Sequence, residues 1–271
     1  MKIFKKAFDF YLEGSIHVAL SCFALVQITQ HYFDISNDYS MAYFAFFGAI
    51  VGYNFVKYEA LARAKKMQMR SKLKAIAILS FLSLIVVGFC FFQLQRITQI
   101  VSLIFFILTL LYALPFFPNK KNARNWAGVK IYIVALCWVG VTVVLPVLNA
   151  DVSLTSDFYI KCIQRFILIF VLILIFEIID LAKDDPLLKT VPQQIGVKRT
   201  KQLGFLLLAL FFGLNFFSFI IDVDFEYSSF IIATVTAFFL AFSNEKRSKY
   251  YTSFWAESVP ILWWLMLVIK L

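Results

Sequence analysis

The chain carries nine long apolar stretches, and this repetition restricts its fold more than any other feature. They cover approximately residues 14–32, 41–58, 75–94, 97–117, 127–148, 159–181, 203–221, 228–243 and 254–271. Each is about long enough to cross the ~30 Å of hydrocarbon in a bilayer as a helix. Hydrophobic residues make up 62% of the 271 and charged residues only 15%. That ratio leaves too little polar surface to cover a soluble domain of this size. The expected fold class is therefore an all-α integral membrane protein, with residues 1–271 forming a single polytopic transmembrane domain. The first run lacks a small-residue cleavage site and is followed by eight more, so it reads as a retained span. The longest polar segments, 57–74 and 182–202, leave no room for a globular domain between spans.

Loop charge sets the orientation. With the N-terminus inside, the inner segments hold 22 Lys and Arg residues and the outer ones hold four, Arg96, Lys161, Arg165 and Lys270. The outer segments are acidic instead, with Asp34, Asp38, Asp151, Asp157, Asp222, Asp224 and Glu226. The expectation is a bacterial inner (cell) membrane protein with a cytoplasmic N-terminus and an external C-terminus. The net charge of +10 follows from this topology. It calls for no nucleic acid, though the basic loops suit anionic membrane lipids.

Cys22, Cys90, Cys137 and Cys162 lie in or beside apolar runs, far apart, and read as small buried residues. His17 and His31, near opposite ends of the first run, read as packing or interface residues. Most of the aromatic residues read as lipid-facing or packing material.

Chemistry concentrates between Phe176 and Gly204. Glu177, Asp180, Asp184 and Asp185 close the sixth apolar run. At roughly 100° per residue, Glu177, Asp180 and Asp184 share one helix face within about 60°. Carboxylates gathered at the mouth of an apolar helix are costly to desolvate, unless cations or water sit among them. One or two such groups commonly hold Mg²⁺ while phosphates and waters complete its shell. Lys189, Lys198, Arg199 and Lys201 follow, and suit an anionic group. The plainer alternative is a set of solvated charges at a helix end.

This stretch resembles the second aspartate-rich motif of the UbiA-type intramembrane prenyltransferases. Asp180-Leu-Ala-Lys-Asp184, Lys189-Thr190-Val191-Pro192 and Gly196 reproduce its D-x-x-x-D, basic-Thr-apolar-Pro and Gly order. The resemblance implies nine helices around a central cavity open to the cytoplasmic leaflet. It implies transfer of an isoprenoid group from a prenyl diphosphate to a small aromatic or lipid acceptor. Asp180 and Asp184 would be the catalytic metal-holding pair, with Glu177 and Asp185 as further metal contacts.

The family's first motif, close to N-D-x-x-D-x-x-x-D, is degenerate here. Asn54 is kept, but Phe55, Tyr58 and Ala62 stand where aspartates are expected. Glu59 lies ~140° from Asn54 on a continuous helix and does not simply replace them. The site then implied holds one Mg²⁺ rather than two. Lys57, ~60° from Asn54, either contacts phosphate directly or snorkels to the headgroups. Arg63, Lys65 and Lys66 follow it. Tyr112-Ala-Leu-Pro115, with Lys120, Lys121 and Arg124 after it, loosely resembles a further family segment near the diphosphate. Tyr112 reads equally as an interface aromatic. Lys130, a few residues inside an apolar span, calls for a partner or water, with Glu177 or Asp180 as candidates. Glu257, just inside the last span, reads as a structural polar contact. The substrate-contact set is therefore Asn54, Lys57, Tyr112, Lys130 and Lys189. The rival reading is a catalytically impaired homologue that binds an isoprenoid or lipid, or scaffolds a partner.

Overall fold

The computed structural model describes residues 2–36, 38–63, 71–114 and 128–269, and among them every regular element is helical. The helices are α1 (Lys2–Glu13), α2 (Ile16–Tyr32), α3 (Tyr39–Arg63), α4 (Ser71–Gln93) and α5 (Arg96–Ala113), then α6 (Lys130–Val139) and α7 (Leu145–Asn149). After them come α8 (Ser156–Asp180), α9 (Val191–Gly213), α10 (Val223–Phe242) and α11 (Val259–Ile269). Among the described residues eight spans are long and apolar enough to cross a bilayer, and nine if the bent pair α1–α2 counts as one.

The bend in that pair is 57°. It falls at Gly14 and Ser15, where Ser15 adopts φ 62° and is fully buried. Before it, α1 sets Lys5, Lys6 and Asp9 opposite Phe4, Phe8 and Tyr11. A helix polar on one side and aromatic on the other suits the membrane surface. Tyr250 Oη donates to Asp9 at 2.7 Å, and Lys249 bridges Asp9 and Glu13 at 3.5 and 3.6 Å. A Lys72–Glu13 ion pair adds α4 to this clasp.

Helix α8 is the axis of the bundle. Its central residues are apolar all round, the pattern of a helix buried on every side. Of its most apolar window 72% is buried, against 17% for α4. It packs on α6, α9 and α10, with Leu168, Val171, Ile175, Ile178 and Ile179 in the main core. Helices α4 and α5 turn Phe81, Ile85, Phe89, Phe92, Leu103 and Phe106 outward, which in lipid is the favourable direction.

Two spans contain π-helical turns, Gly140–Val144 between α6 and α7, and Tyr251–Ala256 before α11. The first has a visible cause. Pro146 has no N–H to offer the carbonyl four residues earlier. That carbonyl, on Thr142, accepts instead from Thr29 Oγ1 of α2 at 2.6 Å. Gly140 is required at the same place, because any Cβ there would run into the ring of Phe105.

Candidate functional site

The end of α8 is held to the start of α9 by Glu177. This side chain is only 3% exposed, and its Oε2 accepts from Val191 N at 3.1 Å. Thr190 precedes the helix, Pro192 occupies its first turn, and Gln193 Oε1 accepts from Thr190 N at 2.9 Å. A carboxylate on the free N–H groups of a helix start is favoured by both hydrogen bonding and the helix dipole. Helix α9 thus begins at Val191, well before the apolar run at 203, because this cap and the proline start it there. Gly196, at φ 79°, kinks it within the next turn.

The loop between the two helices is wound tightly. Asp184 N donates to Asp180 O at 2.9 Å, so one further helical turn separates the two carboxylates. Asp180 is half exposed, 3.5 Å from Lys183 Nζ. Asp184 differs, since its Oδ2 is enclosed and, among the described residues, has no hydrogen-bond partner. A buried acceptor without a donor carries a desolvation cost that only a ligand, a water or a cation removes. Asp185 is exposed, and its carbonyl accepts from Gln193 Nε2 at 3.2 Å. Lys189 is exposed at φ 46°, with its carbonyl taken by Gln194 Nε2 at 2.5 Å. Gly128 N donates to Leu188 O at 3.2 Å, which brings the start of α6 against this loop. Lys130 therefore lies within electrostatic range of Glu177, as does Asp184. Among the described residues no ion pair within 4.0 Å joins Lys130 to Glu177 or Asp180.

Asn54, Lys57 and Tyr112 stand on other helices, α3 and α5. Asn54 is buried on α3, and its Nδ2 donates to Gly14 O at 3.1 Å and to Ser80 Oγ at 2.9 Å. It ties α3 to the α1–α2 bend and to α4, while its Oδ1 is enclosed without a partner among the described residues. Lys57 turns back over the ring of Tyr53, and its Nζ donates to Ser15 Oγ at 2.9 Å. Helix α3 packs chiefly on α2 and α4. Asn54 and Lys57 thus make their hydrogen bonds to the α1–α2 bend and to α4. Tyr112 is buried at the end of α5, within electrostatic range of Tyr53. Pro115, Lys120, Lys121, Arg124, Lys65 and Lys66 lie outside the described residues, as do the side chains of Glu59 and Arg63.

Sequence reasoning missed a polar cluster behind Lys57. His17 is 3% exposed. Its Nε2 faces Phe254 O at 2.9 Å and Ser258 Oγ at 3.1 Å, while Nδ1 lies 2.7 Å from Tyr11 Oη. A carbonyl can only accept, so the proton sits on Nε2 and Nδ1 accepts from Tyr11. Trp138 Nε1 donates to Tyr53 Oη at 2.8 Å, and Ser21 Oγ donates to the Glu257 carbonyl. Glu257 lies within electrostatic range of Lys57, Tyr53 and Tyr11. The signal available beforehand was the set of polar residues at 11, 17, 21, 257 and 258 beside apolar runs.

Among the described residues no three His, Cys, Asp or Glu side chains converge as a metal cage. What the loop does offer is one unpaired carboxylate oxygen, a second carboxylate a turn away, and cations at 130 and 189. That donor set fits a metal carried in on a phosphate group, and does not fit a metal held by protein alone.

No protein-family model matches the sequence, and no curated protein matches it. Three solved structures do match in fold. A UbiA homologue from Aeropyrum pernix K1 superposes with TM-score 0.69 at 13% identity, covering 94% of this chain and 98% of that one. A digeranylgeranylglyceryl phosphate synthase gives TM-score 0.61 at 14% identity, covering 98% of this chain and 100% of the other. A UbiA homologue from Archaeoglobus fulgidus gives 0.55 at 12%, with 97% of each chain covered. The chain is an all-α, multi-pass integral membrane protein. Its fold is that of the UbiA homologues, over nearly its whole length.

Proposed function

We propose that the chain is a UbiA-type prenyltransferase, transferring an isoprenoid group from a prenyl diphosphate to an aromatic or lipid acceptor. The observation that carries this reading is the enclosed Oδ2 of Asp184, without a partner among the described residues, one turn from Asp180, with Asp184 and Lys130 both within electrostatic range of Glu177. It stands at the position where the D-x-x-x-D…K-T-V-P spacing resembles that of the family. The similarity in fold to a digeranylgeranylglyceryl phosphate synthase supports a lipid-type acceptor. Loop charge supports a cytoplasmic N-terminus, which puts Asp180 and Asp184 at the cytoplasmic leaflet.

Asp180 and Asp184 would hold Mg²⁺, whose charge supplies stabilisation for the departing pyrophosphate. Lys130 and Lys189 add positive charge where the leaving oxygens become more negative. Glu177 fixes the loop that carries Asp184 and Lys189. The test is pyrophosphate release by detergent-purified protein from geranyl or farnesyl diphosphate, with Mg²⁺ and candidate acceptors. Release that falls at least ~100-fold in both Asp180→Asn and Asp184→Asn supports the assignment, while unchanged release in either variant removes that residue from it.

A second reading has its own observation. The Asn54 amide is held by Gly14 and Ser80, and no aspartate follows it on α3. A homologue with this half of the site absent would bind an isoprenoid or lipid diphosphate without turning it over. Diphosphate binding without pyrophosphate release distinguishes it.

A further inference from the structure

Two cations are fixed side by side at the end of α10. Gly204 brings α9 close to this helix, since any Cβ there would meet the side chain of Leu240. Lys201, one turn before Gly204, then reaches the last turn of α10, and its Nζ donates to Ala241 O at 2.8 Å. Arg247, on the loop that follows, donates from Nε to the next carbonyl, Phe242 O, at 2.9 Å. The final carbonyls of a helix have no partner within it, and cations suit them. The Arg247 guanidinium also lies 5.0 Å from the ring centre of Tyr251, whose hydroxyl donates to Phe239 O at 2.8 Å.

Capping explains where the two groups sit, but it leaves most of their donors unused. An ammonium carries three and a guanidinium five. Lys201 and Arg247 are within electrostatic range of each other, and like charges so placed repel. Among the described residues neither has a carboxylate within 4.0 Å, and Glu245, the acid of the same loop, forms no such pair. Lys249 does find acids, Asp9 and Glu13, so the neighbouring cation is neutralised where these two are not.

An apolar surface adjoins the pair. Phe205 follows Lys201 by one turn on α9, and Phe238 and Phe242 close α10 with their rings 4.5 Å apart. All three are exposed. Fixed positive charge next to exposed aromatic rings, at the ends of two membrane-spanning helices, matches the level where phospholipid phosphates give way to acyl chains.

We propose that Lys201 and Arg247 hold the phosphate of one anionic phospholipid, with an acyl chain laid along Phe205, Phe238 and Phe242. Net charge selects the headgroup, because a zwitterionic lipid brings an ammonium group of its own to two cations that need a negative charge. The aromatic surface selects a lipid over free phosphate. Basic loops attract anionic membranes in general, whereas here main-chain carbonyls hold both cations in place for one headgroup. The site rests on the membrane fold and not on the transferase reading.

The test uses the full chain purified in detergent, with phosphatidylglycerol and phosphatidylcholine of the same acyl chains as probes. Native mass spectrometry counts the lipids retained as each is titrated. Phosphatidylglycerol should be retained at concentrations where phosphatidylcholine is not. Lys201→Gln and Arg247→Gln each keep a donor for the helix-end carbonyl and lose the charge. Each should weaken phosphatidylglycerol binding about fivefold, and the two together about 25-fold. Lys74→Gln, at an exposed position of α4, should leave it within about twofold. Equal retention of the two lipids, or binding kept within about twofold in the double variant, would overturn the proposal. So would an equal loss in Lys74→Gln, which would mean diffuse attraction only, or displacement of the lipid by millimolar inorganic phosphate.

Discussion

Replacing Glu177 separates a cap from a metal contact. Its carboxylate is buried, and among the described residues its one hydrogen bond goes to Val191 N. In Glu177→Ala the N–H of Val191 loses its acceptor inside the fold. A hydrogen bond to a charged acceptor contributes about 1.5–3 kcal/mol, and the charge at a helix start adds about 0.3–1 kcal/mol. The expected loss is therefore about 2–4 kcal/mol. Glu177→Gln keeps an acceptor oxygen and removes the charge, so its loss should be about 1 kcal/mol. Thermal or denaturant unfolding in detergent, at fixed detergent and lipid content, reads both. Glu177→Gln should also leave the Mg²⁺ concentration needed for half-maximal pyrophosphate release within about twofold, since a cap acts through loop position rather than through the ion. Equal destabilisation by Ala and Gln would refute the capping argument. A Mg²⁺ requirement raised tenfold or more in Glu177→Gln would make Glu177 a metal contact after all.

Other substitutions probe the bundle. Thr29→Val removes the donor that serves the Thr142 carbonyl left open by Pro146, and should cost about 1–3 kcal/mol in unfolding. Gly140→Ala should cost about 1–3 kcal/mol through the clash with Phe105, and Phe105→Leu in the same chain should recover part of it. Gly196→Ala, at φ 79°, should lower stability by about 1–2 kcal/mol and disturb the first turns of α9. Intact unfolding midpoints in these variants would show that the contacts are not formed as described.

The fold was largely legible because its signal is redundant. Long apolar runs need no register or partner to be recognised, and α8 announces its central place by being apolar on every side. That Asp180 and Asp184 lie one turn apart was legible for a similar reason, since their spacing of four residues matches a helical turn. Contacts across the chain were not. Nothing local to Glu177 says that its partner is the backbone of Val191, fourteen residues on. Asn54 could be aligned with a motif, yet what its amide meets depends on the Gly14–Ser15 bend and on Ser80 of α4. Lys161 and Arg165 are buried, yet were counted as outer charge because the loop-charge rule treats cations at span ends as solvated. Their i, i+4 spacing between apolar neighbours carried the opposite message, that both share one inward face.

The account rests on Asp184 and Asp180 gripping a divalent ion only when a diphosphate brings it. Manganese, in place of magnesium, makes this directly visible by electron paramagnetic resonance. The unaltered chain should bind about one Mn²⁺ when a non-hydrolysable prenyl diphosphate analogue is present and little without it. Asp184→Asn should lose that diphosphate-dependent binding. Mn²⁺ bound equally by both chains, or by neither in the presence of the analogue, would contradict the account.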